Sequence, residues 1–132
     1  MQNLKHSITA INNSGGAVEQ GRFVYLDGTA DRTVGLAVDS TGAPILGVAA
    51  HGCTADGDAF TVDIGGPGVM VELGATLSAG AYINAGAAGK AVAAEEGEYY
   101  AGYLLEGGQD GDLVQYVPQV AINQASAKTE TA

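Results

Sequence analysis

Along this chain apolar residues come in short runs, and no window sustains them at the i, i+3, i+4, i+7 spacing of a helix face with caps. The runs are rich in Val, Ile, Tyr and Phe and are cut by Gly, Asp, Asn and Pro, the signature of strands and tight turns. The pattern predicts ten strands: Leu4–Ala10, Arg22–Leu26, Val34–Val38, Ile45–Ala49, Phe60–Ile64, Val69–Leu73, Ala81–Asn84, Lys90–Ala93, Tyr99–Leu105 and Leu113–Pro118. Turn signals fall between them at Asp27-Gly28, Thr41-Gly42, Asp56-Gly57, Gly65-Gly66-Pro67-Gly68 and Asp110-Gly111. Short strands at this spacing predict an all-β fold, a compact small barrel or sandwich.

The same pattern predicts two diverged β repeats. Gly21-Arg22-Phe23-Val24-Tyr25 parallels Gly80-Ala81-Tyr82-Ile83-Asn84, and Gly35-Leu36-Ala37-Val38 parallels Gly89-Lys90-Ala91-Val92. Gly47-Val48-Ala49 then matches Gly102-Tyr103-Leu104, and Asp56-Gly57-Asp58 matches Asp110-Gly111-Asp112. Single matches carry little weight in a glycine-rich chain, but their common order carries more. The repeats span Gln20–Asp63 and Ala79–Pro118, joined by a hairpin over Ile64–Leu73. Between the expected strands, the Gly/Ala-rich stretch from Gly74 to Gly89 reads as turn, short strand, turn, where small residues let backbones approach closely.

The ends differ from the body. Residues 1–18 read as an extended N-terminal arm, with Asn12-Asn13-Ser14-Gly15-Gly16 as a joint before the β domain at 19–118. The alternative for Leu4–Ala10 is a strand of the domain itself. Residues 119–132 are small and polar and read as a mobile C-terminal tail.

Charge narrows the partners. The 132 residues carry a net charge of −10 with only 5 Lys and Arg, and none lies between Arg32 and Lys90. Such a chain repels a phosphate backbone, so nucleic acid is not a partner, and anionic membranes are disfavoured on the same ground. With one cysteine, Cys53, no intramolecular disulfide can form. The N-terminus lacks the apolar core of a signal peptide, and no run is long enough to span a membrane; synthesis in a cytoplasm is expected.

Reactive chemistry is sparse. Gly86-Ala87-Ala88-Gly89-Lys90 resembles a fragment of a phosphate-binding loop, but Asn84 stands at the first glycine and Ala91 at the magnesium-binding hydroxyl. His51-Gly52-Cys53 reads as a loop histidine beside a small thiol rather than a base and nucleophile. Ser14 sits in the joint, and no nucleophile elbow exists. The two Asp-Gly-Asp motifs lack the further ligands of a calcium loop and read as hairpin turns, and one Cys with 2 His cannot make a four-residue zinc site. Glu95-Glu96-Gly97-Glu98 reads as a solvated turn. The expectation is a binding or structural module, not an enzyme, with no metal and no cofactor.

At this point the residues resemble a family. GAVEQGRFVYLDG, then APILGVAAHGCTADGDAFTVDIGGPGVMVELGATLSAGAYI, then AGKAV and AGYLLEGGQDGDLVQYVP follow the order of glycines, valine strands and turns found in phage capsid cement, or head decoration, proteins. The likeness runs from Ala17 to Pro118 and rests on spacing, with no reactive signature. It implies a protein on the outer surface of an expanded phage head, bound to the major capsid protein across coat-subunit junctions, often as a homotrimer. On that reading Gln2, Asn3, Leu4, Lys5, His6, Ile8 and Ile11 are the capsid-binding candidates, adding a strand to a coat-protein sheet with Ile8 and Ile11 as anchors. Tyr82, Tyr99, Tyr100 and Tyr103 are the oligomer-contact candidates, with core packing as their alternative. The competing class is another virion structural or ligand-binding β module on a tail or fibre. A glycan site there would want an aromatic cleft, and the chain has no Trp.

Overall fold

The computed structural model describes residues 6–38, 45–52, 55–66, 68–95 and 99–122. Ten strands are present: β1 (His6–Asn12), β2 (Phe23–Leu26), β3 (Thr33–Leu36), β4 (Gly47–Ala49), β5 (Ala59–Gly65), β6 (Met70–Glu72), β7 (Tyr82–Ala85), β8 (Ala91–Ala93), β9 (Tyr99–Leu104) and β10 (Leu113–Ile122). The described residues contain no α-helix, only a 3-10 turn at Ala87–Gly89. Each expected strand is found, with ends displaced by a few residues.

The strands form two sheets. The first is a closed barrel in the order β1-β3-β2-β4-β5, and the second has the order β6-β10-β9-β7-β8. Register shows that these are one plan used twice. Ile11 faces Ala59 as Glu72 faces Leu113; Phe23 faces Val48 as Tyr82 faces Tyr103; Val24 faces Gly47 as Ile83 faces Gly102. The parallel β1–β3 contact at Asn12 and Val34 has its counterpart in a single parallel bridge between Leu73 and Ala91. Loop hydrogen bonds repeat too: Gly57 N donates to Asn12 O at 2.7 Å, and Gly111 N donates to Leu73 O at 2.8 Å. Both glycines lie at positive φ, 91° and 93°, which a residue with a Cβ adopts only under strain.

The observed units therefore run from β1 to β5 and from β6 to β10, each one strand longer than the repeat read from sequence. That corrects the hairpin expected over Ile64–Leu73. β5 pairs with β1 and β4, whereas β6 pairs with β10, so the chain crosses from one sheet to the other there. The N-terminal arm is also corrected over His6–Asn12, which is a barrel strand. Its burial alternates, with Ala10 and Asn12 inside and Thr9 and Ile11 outside, as a half-buried strand requires. At the other end β10 continues to Ile122, where Ala121 faces Tyr100, so the first residues of the expected tail belong to the sheet. Residues 1–5 and 123–132 lie outside the described residues.

Two apolar clusters hold the chain together. One fills the first barrel with Ala10, Val18, Val24, Val34, Ala49, Phe60 and Val62. The other takes Phe23, Ala37, Ile45 and Val48 from the outer side of the first unit and packs them with Val69, Val71, Leu73, Ile83, Leu104 and Tyr116 of the second. The two repeats thus share a core and make one domain.

Candidate functional site

Alternation on β7 buries Ile83 and Ala85 and turns Tyr82 outward, where it is 49% exposed. Tyr103 lies opposite it on β9. The rings of Tyr82 and Tyr100 are 4.6 Å apart and tilted by 39°, and those of Tyr82 and Tyr103 are 6.1 Å apart and near perpendicular at 77°. Tyr100 and Tyr103 are three apart, a spacing that sends side chains to opposite faces of a regular strand. The ladder is irregular here: the register against β10 shifts between Pro118 and Ala121, and both rings reach Tyr82. Three of the four candidate tyrosines thus form one surface cluster at favourable aromatic distances. Tyr99 lies on the same strand, its backbone facing Ile122.

The N-terminal candidates are not brought together in this way. Gln2, Asn3, Leu4 and Lys5 lie outside the described residues, and His6 is exposed at the start of β1. Ile8 packs against the interior of the first barrel, whereas Ile11 is on its outside and 37% exposed. Both edges of β1 are occupied, one by β5 and the other by β3. Strand addition to another sheet needs an unpaired edge, so Ile8 and Ile11 do not serve together as anchors of an added strand.

The junction between the units holds a charged cluster that sequence reading missed. Arg22 Nε lies 3.2 Å from Glu72 Oε1, and its Nη1 donates to Ala88 O at 2.9 Å. Lys90 Nζ lies 3.4 Å from Glu72 and 3.3 Å from Asp110. Glu72 N also donates to Gly21 O at 2.9 Å, a backbone bond from one unit to the other. In sequence these residues are far apart, and their partnership follows only from the docking of the two sheets.

The motifs tested for chemistry serve as local structure. Asp112 accepts from Gln109 N at 2.8 Å within its own turn, whereas Asp56 accepts from Gly15 N at 2.9 Å and ties its turn to the segment after β1. Ser14 Oγ donates to Gly16 O at 2.8 Å, and His51 Nδ1 lies 2.9 Å from Gly52 O. Cys53 and Glu96 to Glu98 lie outside the described residues. Among the described residues, no group of three or more His, Cys, Asp or Glu is placed to hold a metal ion.

Two groups tie stability to alkaline pH. Burial pushes the Tyr116 phenol far above its ordinary value, and the charge of Asp63 adds to this. The hydrogen bond to Asp110, and then its charge, raise Lys90 above 10.5. Both groups keep their proton longer when folded, so their contributions are complete below pH ~10 and are lost as pH rises further. Stability should be level from pH 7 to 9, bend near pH 10 and approach a fall of about 1.4 kcal/mol per pH unit above that for the Tyr116 proton alone. Urea titrations from pH 7 to 11 check this, and Tyr116→Phe should move the alkaline decline to higher pH. A flat profile up to pH 11 would contradict the assignment.

Comparisons with known proteins bear on this surface. A family model described as phage cement protein matches residues 1–120, which takes in both units almost completely. No curated protein matches the chain. Among solved structures, the head fiber gp8.5 N base of bacteriophage phi29 is similar, with a TM-score of 0.68 and 24% sequence identity. The likeness covers 88% of this chain and 95% of that one, and it concerns the fold.

Proposed function

We propose, from the premise that the chain belongs to the phage cement protein family, that it is a decoration protein on the outer surface of an expanded phage head. There it binds the major capsid protein and stabilises contacts between coat subunits. The observation that carries this reading is the extent of the family match, which spans the whole two-unit body and not one unit of it. A structural role needs no reacting groups, and Asp56, Asp112, Ser14 and His51 are engaged in hydrogen bonds to backbone groups that hold loops in place. The acidic surface suits the outside of a head, because packaged nucleic acid lies within and is repelled. Small contacts repeated over a lattice give the shell an avidity that no single contact has.

Capsid contact is assigned to Gln2, Asn3, Leu4, Lys5 and His6, which precede or open β1. The protein acts as a homo-oligomer, a trimer, with Tyr82, Tyr99, Tyr100 and Tyr103 at the contact between copies. It is made in the host cytoplasm and joins the head after expansion.

The test is the copy number of the protein in purified particles, measured by quantitative peptide mass spectrometry against the coat protein. A fixed ratio near one copy per coat subunit is expected. A few copies per particle would assign the protein to a tail or fibre, and absence from particles would end the reading. In the same assay a chain lacking residues 1–5 should need about tenfold more protein for equal occupancy. Unchanged occupancy would remove the N-terminal residues from the contact.

A further inference from the structure

Beside the shared core the two units enclose a pocket between them. Ile45 and Ile64 wall it from the first unit, Ala101 and Pro118 wall it from the second, and Gln119 stands exposed at its mouth. Tyr116, which is 2% exposed, forms its floor. The space is about 90 Å³, the share of about three waters or one side-chain head group, and it is too small for a cofactor. Beside it the register of β10 against β9 shifts, between Pro118 and Ala121.

The Tyr116 ring meets Phe23 edge-on at 5.8 Å, and its backbone N–H donates to Val69 O at 3.2 Å. Its hydroxyl has no hydrogen-bond partner among the described residues. Among those residues no side-chain polar atom is both sealed from solvent and unpaired, so the hydroxyl opens on the pocket. A donor this deep without an acceptor is costly, and native structures rarely keep one without a use.

The surroundings select the acceptor. No charged residue lines the pocket, so a buried ammonium or guanidinium would find no counter-charge there. A carboxylate would meet the negative charge of Asp63, which already acts on the phenol. An uncharged acceptor is what fits. The Gln119 side chain at the mouth both donates and accepts, which suits a guest that does the same.

The position selects the source. His6 faces Gly65 across β1 and β5, and Gly65 follows Ile64 on the pocket wall. The pocket therefore adjoins the N-terminal residues assigned above to the capsid contact.

We propose that this pocket receives an uncharged amide, an asparagine or glutamine side chain of the coat protein, whose oxygen accepts from the Tyr116 hydroxyl and whose nitrogen turns to Gln119. The amide chemistry stands on the pocket itself, and its source in the coat protein rests on the cement reading above. A side chain seated there touches both units and holds them in their docked arrangement.

The test is titration of the full chain with propionamide, followed by the NMR shifts of the Ile64, Ala101 and Gln119 backbone amides. Saturable shifts in the millimolar range are expected. Propionate and propylammonium, of similar shape, should bind at least about tenfold more weakly. Tyr116→Phe keeps the ring and removes an unpaired hydroxyl, so it should melt no lower than wild type, yet it should bind propionamide about fivefold more weakly. In the particle assay the same variant should need about fivefold more protein for equal occupancy. The amide site is overturned if propionamide gives no shift at ~100 mM, if the charged analogues match it, or if Tyr116→Phe binds it unchanged, as a crevice holding only water would. If wild-type protein joins heads and Tyr116→Phe joins them equally well, the coat-protein source is overturned while the cement reading stands. Absence of wild-type protein from heads would remove the cement reading and this source with it, and the amide site would stand on the titration.

Discussion

Phe23→Ala should lower stability by about 3–5 kcal/mol, the range for emptying a buried aromatic site. Phe23 is fully buried, and its ring meets Tyr116 edge-on at 5.8 Å and 87°. It is the largest buried side chain that the first unit contributes to the shared core, and the space it leaves borders both sheets. At roughly 4 °C per kcal/mol for a chain of this length, the melting temperature should drop by about 12–20 °C. The transition should stay single, because the cluster that loses Phe23 contains residues of both units. The counterpart Tyr82 is an internal control. It stands at the equivalent register position but is 49% exposed in the single copy, so at protein concentrations that hold single copies Tyr82→Ala should change stability by less than ~1 kcal/mol. Differential scanning calorimetry of the two variants decides the matter. A Phe23→Ala loss below ~1.5 kcal/mol, or a split transition, would mean that the units fold independently.

That contrast also shows what the sequence can and cannot convey. The strands are legible because Gly, Asp-Gly and Asn-Gly-like breaks bound every apolar run, and local patterning settles such elements without tertiary help. The repeat is legible where glycines recur in register, at Gly21 and Gly80, Gly47 and Gly102, and Gly57 and Gly111, whereas the match of Gly35 with Gly89 is displaced, because register makes Val34 the counterpart of Ala91. β1 and β6 share no such residue, since HSITAIN and MVE have little in common, and the first strand of each unit therefore carries no repeat signal. For the same reason residues 6–12 read as an arm: a strand and an arm look alike until the neighbours that occupy its two edges are known. The tyrosines stand out by type, yet type alone cannot tell surface from core. Phe23 and Tyr82 occupy one position in two units, and which of them is covered follows only from how the two units dock. The Arg22, Glu72 and Lys90 cluster has no sequence signal, because its members come from three separate segments.

Gly102→Ala should rank beside Phe23→Ala, for a different reason. β9 passes so close to β10 that a Cβ at Gly102 would overlap the carbonyl oxygen of Val117, a backbone atom that cannot swing aside. The backbone there is also at φ 154°, a conformation that side chains disfavour. Overpacking of about 1–3 kcal/mol and backbone strain of about 1–3 kcal/mol act together, so a loss of about 3–4 kcal/mol is expected. The duplicated plan repeats the constraint: Gly47 holds the same place on β4, and a Cβ there would overlap the carbonyl oxygen of Asp63. Both units keep glycine where strand crosses strand, although most other positions of the two have diverged. Gly80 separates the two causes. It lies at φ 85°, and a Cβ added there would meet nothing within 4 Å, so Gly80→Ala brings conformational strain alone and should cost about 1 kcal/mol. Urea unfolding of Gly47→Ala, Gly80→Ala and Gly102→Ala should therefore give one small loss and two large ones. If all three fell together near ~1 kcal/mol, the close strand approach would not be what retains glycine in both repeats.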